Sequence, residues 1–231
     1  MQLTLPDVVR LFGVTENTVR NWINDDNLPC EVIDDRYRFN QAELLEWATI
    51  RKLNVSPSIF EAVNGNAVSE SSLSAALESG GIAYQVKATH KRALLRRIVD
   101  ELPLPEGFDR DVLLQLFLAR EALGSTALEG GIAVPHPRRP IVLDVERPIV
   151  RLCFLAEPLD FQAPDGKPVN TLFAMVAPTV HEHLQLLARL ASVLKDHQVR
   201  RVLSERASAQ EILAAVSDAD HRLGARSVEA T

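Results

Sequence analysis

The histidine at position 136 lies between two prolines, Pro135 and Pro137, at the end of a short apolar stretch. Each proline disfavours helical geometry in the residue before it, so we expect the imidazole to be held in an extended segment at a strand end. Gly130 and Gly131, just upstream, allow the backbone to bend and another surface to approach closely. A neutral imidazole has a lone pair on one ring nitrogen, which predicts that His136 acts as a nucleophile.

Metal binding by histidines and hydrolysis by a serine nucleophile are two other chemistries to weigh against this one. His181 and His183 could supply metal ligands together with His136, but helix positions two residues apart do not share a face. We therefore expect neither a metal nor another cofactor. Ser125 could be a hydrolase nucleophile, but its neighbours do not form the G-x-S-x-G turn that exposes such a serine.

The composition is that of an ordinary globular protein. The chain has 231 residues, of which 46% are hydrophobic and 24% charged, and this length corresponds to about one and a half domains. We find no apolar run close to the roughly 18 to 20 residues of a membrane span and no signal-peptide pattern, so we expect a cytoplasmic protein. Cys30 and Cys153 lie too far apart in sequence for a C-x-x-C site.

The region around His136 contains both helical and strand-like patterns. Apolar residues recur at helical spacing in four stretches, and three short apolar runs have the length of strands. Helices mixed with short strands predict an α/β layered domain, with a polar, frayed tail from Asp218. The predicted helices cover residues 86–102, 110–123, 180–195 and 209–216, and the predicted strands cover 131–134, 149–155 and 170–177.

The first 54 residues predict a small winged helix-turn-helix domain. Two short helices are joined by a turn at Gly13 and followed by a two-stranded hairpin within residues 31–39. Asn40 and Glu43 form a capping box for a third helix. Residues 55–70 combine Pro, Ser, Asn and Gly and predict a linker, so the second domain covers residues 71–231.

The first domain resembles the winged helix-turn-helix of excisionases and MerR-type DNA-binding proteins. Trp22, the Leu28-Pro29 pair, the wing at residues 36–39 and Trp47 agree with that pattern as a set. The resemblance implies that one helix enters the major groove while the wing reaches phosphate or the minor groove. The implied DNA contacts are Asn17, Thr18, Arg20 and Asn21 in the helix and Arg36 and Arg38 in the wing.

Charge keeps an alternative open for this domain. The first 55 residues hold six Arg and Lys against nine Asp and Glu, whereas DNA-binding modules usually present a basic face. The alternative is a helical unit that binds protein. If DNA is the partner, a single copy would bind it weakly, so we expect a homo-oligomer.

The second domain resembles the enzyme IIA domain of the fructose, mannitol and nitrogen-regulatory type from the bacterial phosphoenolpyruvate-dependent phosphotransferase system. The likeness covers about residues 71–217, is greatest to the nitrogen-regulatory form, and implies a mixed sheet flanked by helices. The matching motifs are Arg120-Glu121, Ser125-Thr126, Gly-Ile-Ala-Val-Pro-His at 131–136, Pro158-Leu-Asp-Phe161, Gly166-Lys-Pro-Val169 and His183-Leu184.

By this resemblance, His136 accepts a phosphoryl group from the phosphohistidine of an HPr-like carrier protein. Arg120 matches the arginine that neutralises the phosphoryl charge, and His183 matches a second histidine that would bond the phosphate or the first ring. Transfer between two histidines needs positioning and positive or hydrogen-bonding groups, without a metal between them. The other implied residues of the phosphoryl pocket are Ser125, Thr126 and Gly131.

Three positions depart from the family pattern. Ala127 and Glu129 stand where glycine is common, and Pro137 stands where a residue with a backbone N–H is usual. Glu129 would bring a like charge toward a phosphoryl group, and Pro137 removes a hydrogen-bond donor. Either change would slow phosphorylation, or the domain would act as a sensor.

These observations predict a regulatory protein in which phosphorylation of His136 is coupled to DNA binding or transcription and to regulatory target proteins. It would be a phosphohistidine carrier rather than a free-standing enzyme, without insertion into a membrane. Two alternatives stay open. In one, the second domain senses a ligand or partner without phosphotransfer; in the other, the first domain binds protein.

Overall fold

The structure is a computed structural model that describes residues 2–26, 28–33, 36–40, 43–44, 47–48, 72–137 and 145–228. The chain divides into two compact units, Met1–Ser69 and Glu70–Thr231. The predicted linker, residues 55–70, lies outside the described residues.

The first unit is a three-stranded antiparallel sheet with helices packed on it. The predicted third helix agrees with the helical residues Glu43, Leu44, Trp47 and Ala48. The predicted turn at Gly13 and the predicted hairpin are also present. Strand β1 has no counterpart among the predicted elements. In chain order the elements are β1 (Gln2–Thr4), α1 (Leu5–Phe12), α2 (Glu16–Asp25), β2 (Glu31–Ile33) and β3 (Arg36–Asn40), and the sheet order is β1-β3-β2.

Local signals define the first two helices of this unit. The carboxylate of Asp7 accepts a hydrogen bond from the backbone N–H of Thr4 at 2.9 Å, at the start of α1. The hydroxyl of Thr15 accepts from the N–H of Thr18 at 3.3 Å, at the start of α2. Gly13 ends α1 with a φ of 62°, in the left-handed region that favours glycine. Three aromatic rings with centroids 5.2 to 6.3 Å apart join the helices: Phe12, Trp22 and Trp47.

The second unit is a five-stranded mixed sheet flanked by helices, which confirms the predicted α/β class. The strand order is β4-β7-β8-β6-β5, with parallel pairs β4–β7 and β6–β8 and antiparallel pairs β7–β8 and β5–β6. The elements are α3 (Leu73–Gly80), β4 (Ile82–Val86), α4 (Lys91–Glu101), α5 (Arg110–Ala122), β5 (Ala127–Leu128), β6 (Ile132–Ala133), β7 (Ile149–Leu159), β8 (Val169–Val176), α6 (Val180–Val193), α7 (His197–Ser204) and α8 (Ala209–Val228).

One hydrophobic core cluster of the second unit is formed by the sheet and helices α4 and α5. Strand β8 and residues 149–155 of strand β7 are almost continuously buried, which is why these stretches are largely apolar without alternation. Side chains from α4 and α5 pack onto them across the unit. Members of this core include Leu95, Ile98, Phe117, Phe161, Leu172 and Val176.

The helix predicted over residues 86–102 is wrong at its start. It begins only at Lys91, because the side chain of His90 accepts a hydrogen bond from the N–H of Ala93 at 3.2 Å and caps it. Residues 82–86 form strand β4 instead, which pairs in parallel with β7. Helices α3 and α7 and strand β5 also have no counterpart among the predicted elements.

The prediction of a frayed tail from Asp218 is also wrong. Helix α8 continues to Val228, and Asp220 within it is only 3% exposed. One oxygen of Asp220 accepts from the N–H of Leu73 at 2.8 Å, and the other pairs with Arg189 at 2.7 Å. These two partners, on α3 and α6, hold the last helix against the unit.

The arrangement brings three chain segments to the predicted site. Strand β6 leads into the extended segment that carries His136. Helix α5 places Arg120 in its last turn, and helix α6 places His183 in its first turn.

Replacing Asp220 with alanine is expected to lower the free energy of unfolding by about 2 to 3 kcal/mol, because it leaves a buried N–H and a half-buried guanidinium unpaired. Chemical denaturation followed by circular dichroism measures this. Asp218→Ala, an exposed position of the same helix, is the matched control and should change stability by about 0.5 kcal/mol or less. Equal effects of the two changes would contradict the role given to Asp220.

Candidate functional site

The segment that carries His136 is fixed on both sides. The N–H of Val134 donates to the carbonyl of Thr126 at 3.0 Å, and the N–H of Met175 in β8 donates to the carbonyl of Pro135 at 2.9 Å. Both flanking prolines are buried. The backbone before the histidine is therefore held between Thr126, which directly precedes β5, and strand β8.

The protonation state of His136 follows from its surroundings. The residue is 2% exposed, and its Nδ1 lies 2.6 Å from the carbonyl oxygen of Val134. Burial, followed by the positive charge of Arg120, lowers the pKa of His136 to about 3, against the opposing effects of the Val134 hydrogen bond and of Glu121. The ring is thus neutral, and because a carbonyl oxygen only accepts, the proton is on Nδ1 and the lone pair on Nε2.

His183 lies beside this ring. The two ring centroids are 5.0 Å apart, and the ring planes are tilted by 54°. His183 is 3% exposed, and within the described part of the chain its buried Nδ1 has no hydrogen-bond partner. Burial, His136 and Arg120 together hold the pKa of His183 well below its usual range, so this ring is neutral as well.

Arg120 supplies the charge of the site. The residue is 6% exposed, and its Nη1 donates to the carbonyl of Gly124 at 2.8 Å, which fixes the guanidinium just beyond the end of α5. Its charge is near enough to depress the pKa values of His136 and His183. The structure thus brings together the three residues that the sequence marks as catalytic: one buried cation and two neutral imidazoles.

The predicted pocket residues Ser125 and Thr126 have other acceptors in this structure. The hydroxyl of Ser125 donates to the carbonyl of Phe161, and the hydroxyl of Thr126 donates to the carboxylate of Glu121 at 2.7 Å. Gly131 has a φ of 76°, and its carbonyl accepts from the N–H of Asn170 at 2.9 Å. All three shape the loops around β5 and β6.

Sequence reasoning assigns no role to Glu121 and Lys91, yet both lie next to the site. The side chain of Glu121 is 6% exposed and pairs with Lys91 at 2.7 Å. Glu121 also accepts the backbone N–H of Thr126 at 3.2 Å. The Arg120-Glu121 motif contains one of these residues, but no spacing pattern connects it with a lysine thirty positions upstream.

The three departures from the family pattern occupy different surroundings. Ala127 is buried in β5, opposite Ala133 of β6. Glu129 is exposed in the turn between these strands, and Pro137 is buried next to His136. Among the residues that the structure describes, no group of three or more His, Cys, Asp or Glu side chains is arranged to hold a metal ion. No helix in the same residues is long and apolar enough to cross a membrane.

The face predicted to contact DNA lies on α2 and β3. Asn17, Arg20 and Asn21 are exposed on α2. The guanidinium of Arg20 pairs with Glu16 at 2.7 Å and lies 5.5 Å from the ring centroid of Tyr37 in the wing. The remaining predicted contacts are Arg36, which is exposed, and Thr18 and Arg38, which are half-buried.

Comparison with known proteins gives two family matches. Residues 76–219 match the model for "Phosphoenolpyruvate-dependent sugar phosphotransferase system, EIIA 2". Residues 3–51 match the model for "Helix-turn-helix domain".

Individual relatives extend this result. The nitrogen regulatory protein of Pseudomonas aeruginosa is 35% identical over 146 residues, which cover 62% of this chain and 92% of that protein. The crystal structure of nitrogen regulatory protein IIA-Ntr from Neisseria meningitidis superposes with a TM-score of 0.52 at 30% identity, over 58% of this chain and 92% of that one. Enzyme IIA-Mtl, in a complex with phosphorylated enzyme IIB-Mtl from Escherichia coli, gives a TM-score of 0.50 at 25% identity, over 61% and 96% of the chains.

The two buried imidazoles predict a specific pH dependence of stability. Because their pKa values are lower in the folded than in the unfolded chain, the unfolded chain binds more protons below the unfolded value of about 6.5. The stabilisation is fully present above that value and is lost as the pH falls toward the folded pKa of His136, about 3. Each ring should contribute up to about 1.4 kcal/mol per pH unit to the slope.

Denaturant titrations between about pH 6.5 and 5 measure this slope, above the range in which most carboxylates titrate. The variants His136→Gln and His183→Gln should each reduce it. His197→Gln, at an exposed position, should leave it unchanged. Identical slopes in all four proteins would show that the two rings are not held neutral.

Proposed function

The chain belongs to the EIIA 2 family of the phosphoenolpyruvate-dependent sugar phosphotransferase system and carries a helix-turn-helix domain before the EIIA 2 domain. On that premise we propose that it is a regulatory protein that accepts a phosphoryl group on Nε2 of His136 from the phosphohistidine of an HPr-like carrier. The observation that carries this proposal is the hydrogen bond from Nδ1–H of His136 to Val134, which directs the lone pair to Nε2.

The chemistry needs no proton transfer at the acceptor. The N–P bond of the carrier breaks, and its electron pair stays on the carrier's ring nitrogen. The lone pair of Nε2 of His136 forms the new N–P bond while the proton stays on Nδ1, still donated to the carbonyl of Val134. Because the transition state is loose, with charge spread over the phosphoryl oxygens, positioning and positive charge supply most of the catalysis.

Arg120 and His183 are suited to receive the phosphoryl oxygens. The Gly124 carbonyl already holds the guanidinium of Arg120, so little side-chain entropy is lost when it binds an anion. His183, a neutral ring 5.0 Å from that of His136, would donate a single hydrogen bond. No metal ion takes part in this proposal.

Phosphorylation of His136 would change which partner proteins the EIIA 2 domain binds. The similarity to nitrogen regulatory proteins supports a signalling role in the cytoplasm over sugar transport by this chain. The helix-turn-helix match supports an output on DNA, through the exposed face of α2 and the wing. This two-part proposal has two separable tests.

Incubation with phosphorylated HPr-type carrier should place acid-labile phosphate on the wild-type protein and none on His136→Ala. His197→Ala, at an exposed position, should be labelled like the wild type. Arg120→Met should lower the rate of labelling about 100-fold or more, because it removes the positive charge at the phosphoryl group. An unlabelled wild-type protein would sink the phosphocarrier proposal and leave a domain that only senses a ligand or partner.

For the first unit, Glu16→Gln is expected to tighten DNA binding severalfold at low salt, since it removes a negative charge and releases Arg20. Arg20→Ala should weaken binding, and both effects should shrink as the salt concentration rises. Asp100→Asn, an equal charge change on α4 of the other unit, is the matched control. Fluorescence anisotropy measures the affinities. If wild type and Glu16→Gln both fail to bind DNA, the unit is a protein-binding module.

A further inference from the structure

We propose that Lys91 and Glu121 are positioning residues for the acceptor histidine. They hold the backbone that orients the His136 ring, and their pairing keeps the negative charge of Glu121 from offsetting the positive potential of Arg120 at that ring. The inference rests on the proposed phosphoryl transfer and adds two residues to it. It follows from a continuous series of contacts that begins at the partly exposed Lys91, the first residue of α4, and ends at the His136 ring.

The first links of this series lie at Glu121. Nζ of Lys91 lies 2.7 Å from one oxygen of the Glu121 carboxylate. The other oxygen accepts the hydroxyl of Thr126 at 2.7 Å and its backbone N–H at 3.2 Å. A single buried carboxylate therefore fixes both the backbone and the side chain of Thr126.

The next links lead from Thr126 to the ring. The carbonyl of Thr126 accepts the N–H of Val134 at 3.0 Å. The carbonyl of the same valine lies 2.6 Å from Nδ1 of His136. If Thr126 moves, Val134 loses its anchor on that side, and the carbonyl that selects the Nδ1–H tautomer moves with it. Nε2 would then no longer carry the lone pair in every molecule.

Lys91 has a second effect, through charge. Glu121 follows Arg120 in the chain, and its charge opposes that of Arg120 at His136. Paired with Lys91, the three residues have a net charge of +1. Without Lys91, the negative charge of Glu121 would offset more of the charge of Arg120 near the ring, and less positive potential would remain for a phosphoryl group.

Lys91 also contacts Phe161, whose carbonyl binds Ser125. Its Nζ lies 4.7 Å from the ring centroid of Phe161, and the carbonyl of Phe161 accepts the hydroxyl of Ser125. Lys91 therefore contacts both Glu121 and Phe161. These two residues accept the hydroxyl hydrogen bonds of Thr126 and Ser125. A buried ion pair adds little net stability compared with apolar residues, so a purely structural role explains this arrangement poorly.

The experiment combines phosphorylation kinetics with the tautomer of His136 read by ¹⁵N NMR of the imidazole. Lys91→Met and Glu121→Gln should lower the rate of labelling at saturating carrier about tenfold or more, with the carrier KM little changed, because they disturb alignment and charge and not docking. In the same variants the His136 ring should populate both neutral tautomers. Lys91→Arg should restore the Nδ1–H tautomer and most of the rate.

The remaining variants separate positioning from folding. Thr126→Val should act like Glu121→Gln, and Thr126→Ser, which keeps the hydroxyl, should act like the wild type. Arg96→Met breaks ion pairs of the same helix α4, with Asp100 and Asp111, and should change neither tautomer nor rate.

Variants of Lys91 and Glu121 that lose thermal stability but keep the wild-type tautomer and rate would overturn the inference. If the wild-type protein accepts no phosphate, the proposed function fails. The tautomer measurement then decides on its own whether these residues orient the ring.

Discussion

A histidine buried as fully as His136 must stay neutral, and its single N–H needs an acceptor, because both an uncompensated charge and an unbonded donor are costly in the interior. The acceptor is the carbonyl of Val134, and the surrounding structure keeps that carbonyl in place. Thr126, which directly precedes β5, binds the valine, and Met175 of strand β8 binds the next residue, Pro135. Pro135 and Pro137 have no N–H to satisfy, so the buried segment carries few backbone donors. The same hydrogen bond that satisfies the ring also leaves its lone pair on Nε2.

Arg120 places a buried positive charge near two neutral rings. Its guanidinium has the Gly124 carbonyl as one acceptor, but a carbonyl dipole compensates a full positive charge only in part. Glu121, the acid that follows Arg120 in the chain, is paired with Lys91. In the phosphoryl transfer that we propose, the charge of Arg120 would stabilise the phosphoryl oxygens, and the pairing of Glu121 with Lys91 would limit the opposing negative charge at His136.

The parts of the structure that sequence predicts correctly depend on local signals. The prolines around His136, the glycine that ends α1 and the apolar spacing of α5 each act within a few residues. Strand β4 is missed because residues 82–86 become a strand only by pairing with β7, about seventy positions later. The length of α8 is missed because Asp220 looks solvated until Leu73 and Arg189 supply its partners. The ion pair of Lys91 with Glu121 and the acceptors of the Ser125 and Thr126 hydroxyls are long-range or loop contacts of the same kind.

The contacts of Arg20, on the face predicted to contact DNA, limit how the first unit could bind DNA. Arg20 already has a carboxylate partner in Glu16 and an aromatic ring beside it, so a DNA phosphate must replace an existing ion pair and gains only the difference. Asn17 and Asn21 are exposed on the same helix, and asparagine amides read base edges, adenine above all, without adding charge. If the unit binds DNA, these neutral asparagines would contribute to selectivity for DNA sequence more than to affinity, because the unit has more acidic than basic residues. If the unit binds DNA as proposed, binding at physiological salt would require several such units on one DNA, and the affinity would then depend on how many copies assemble there.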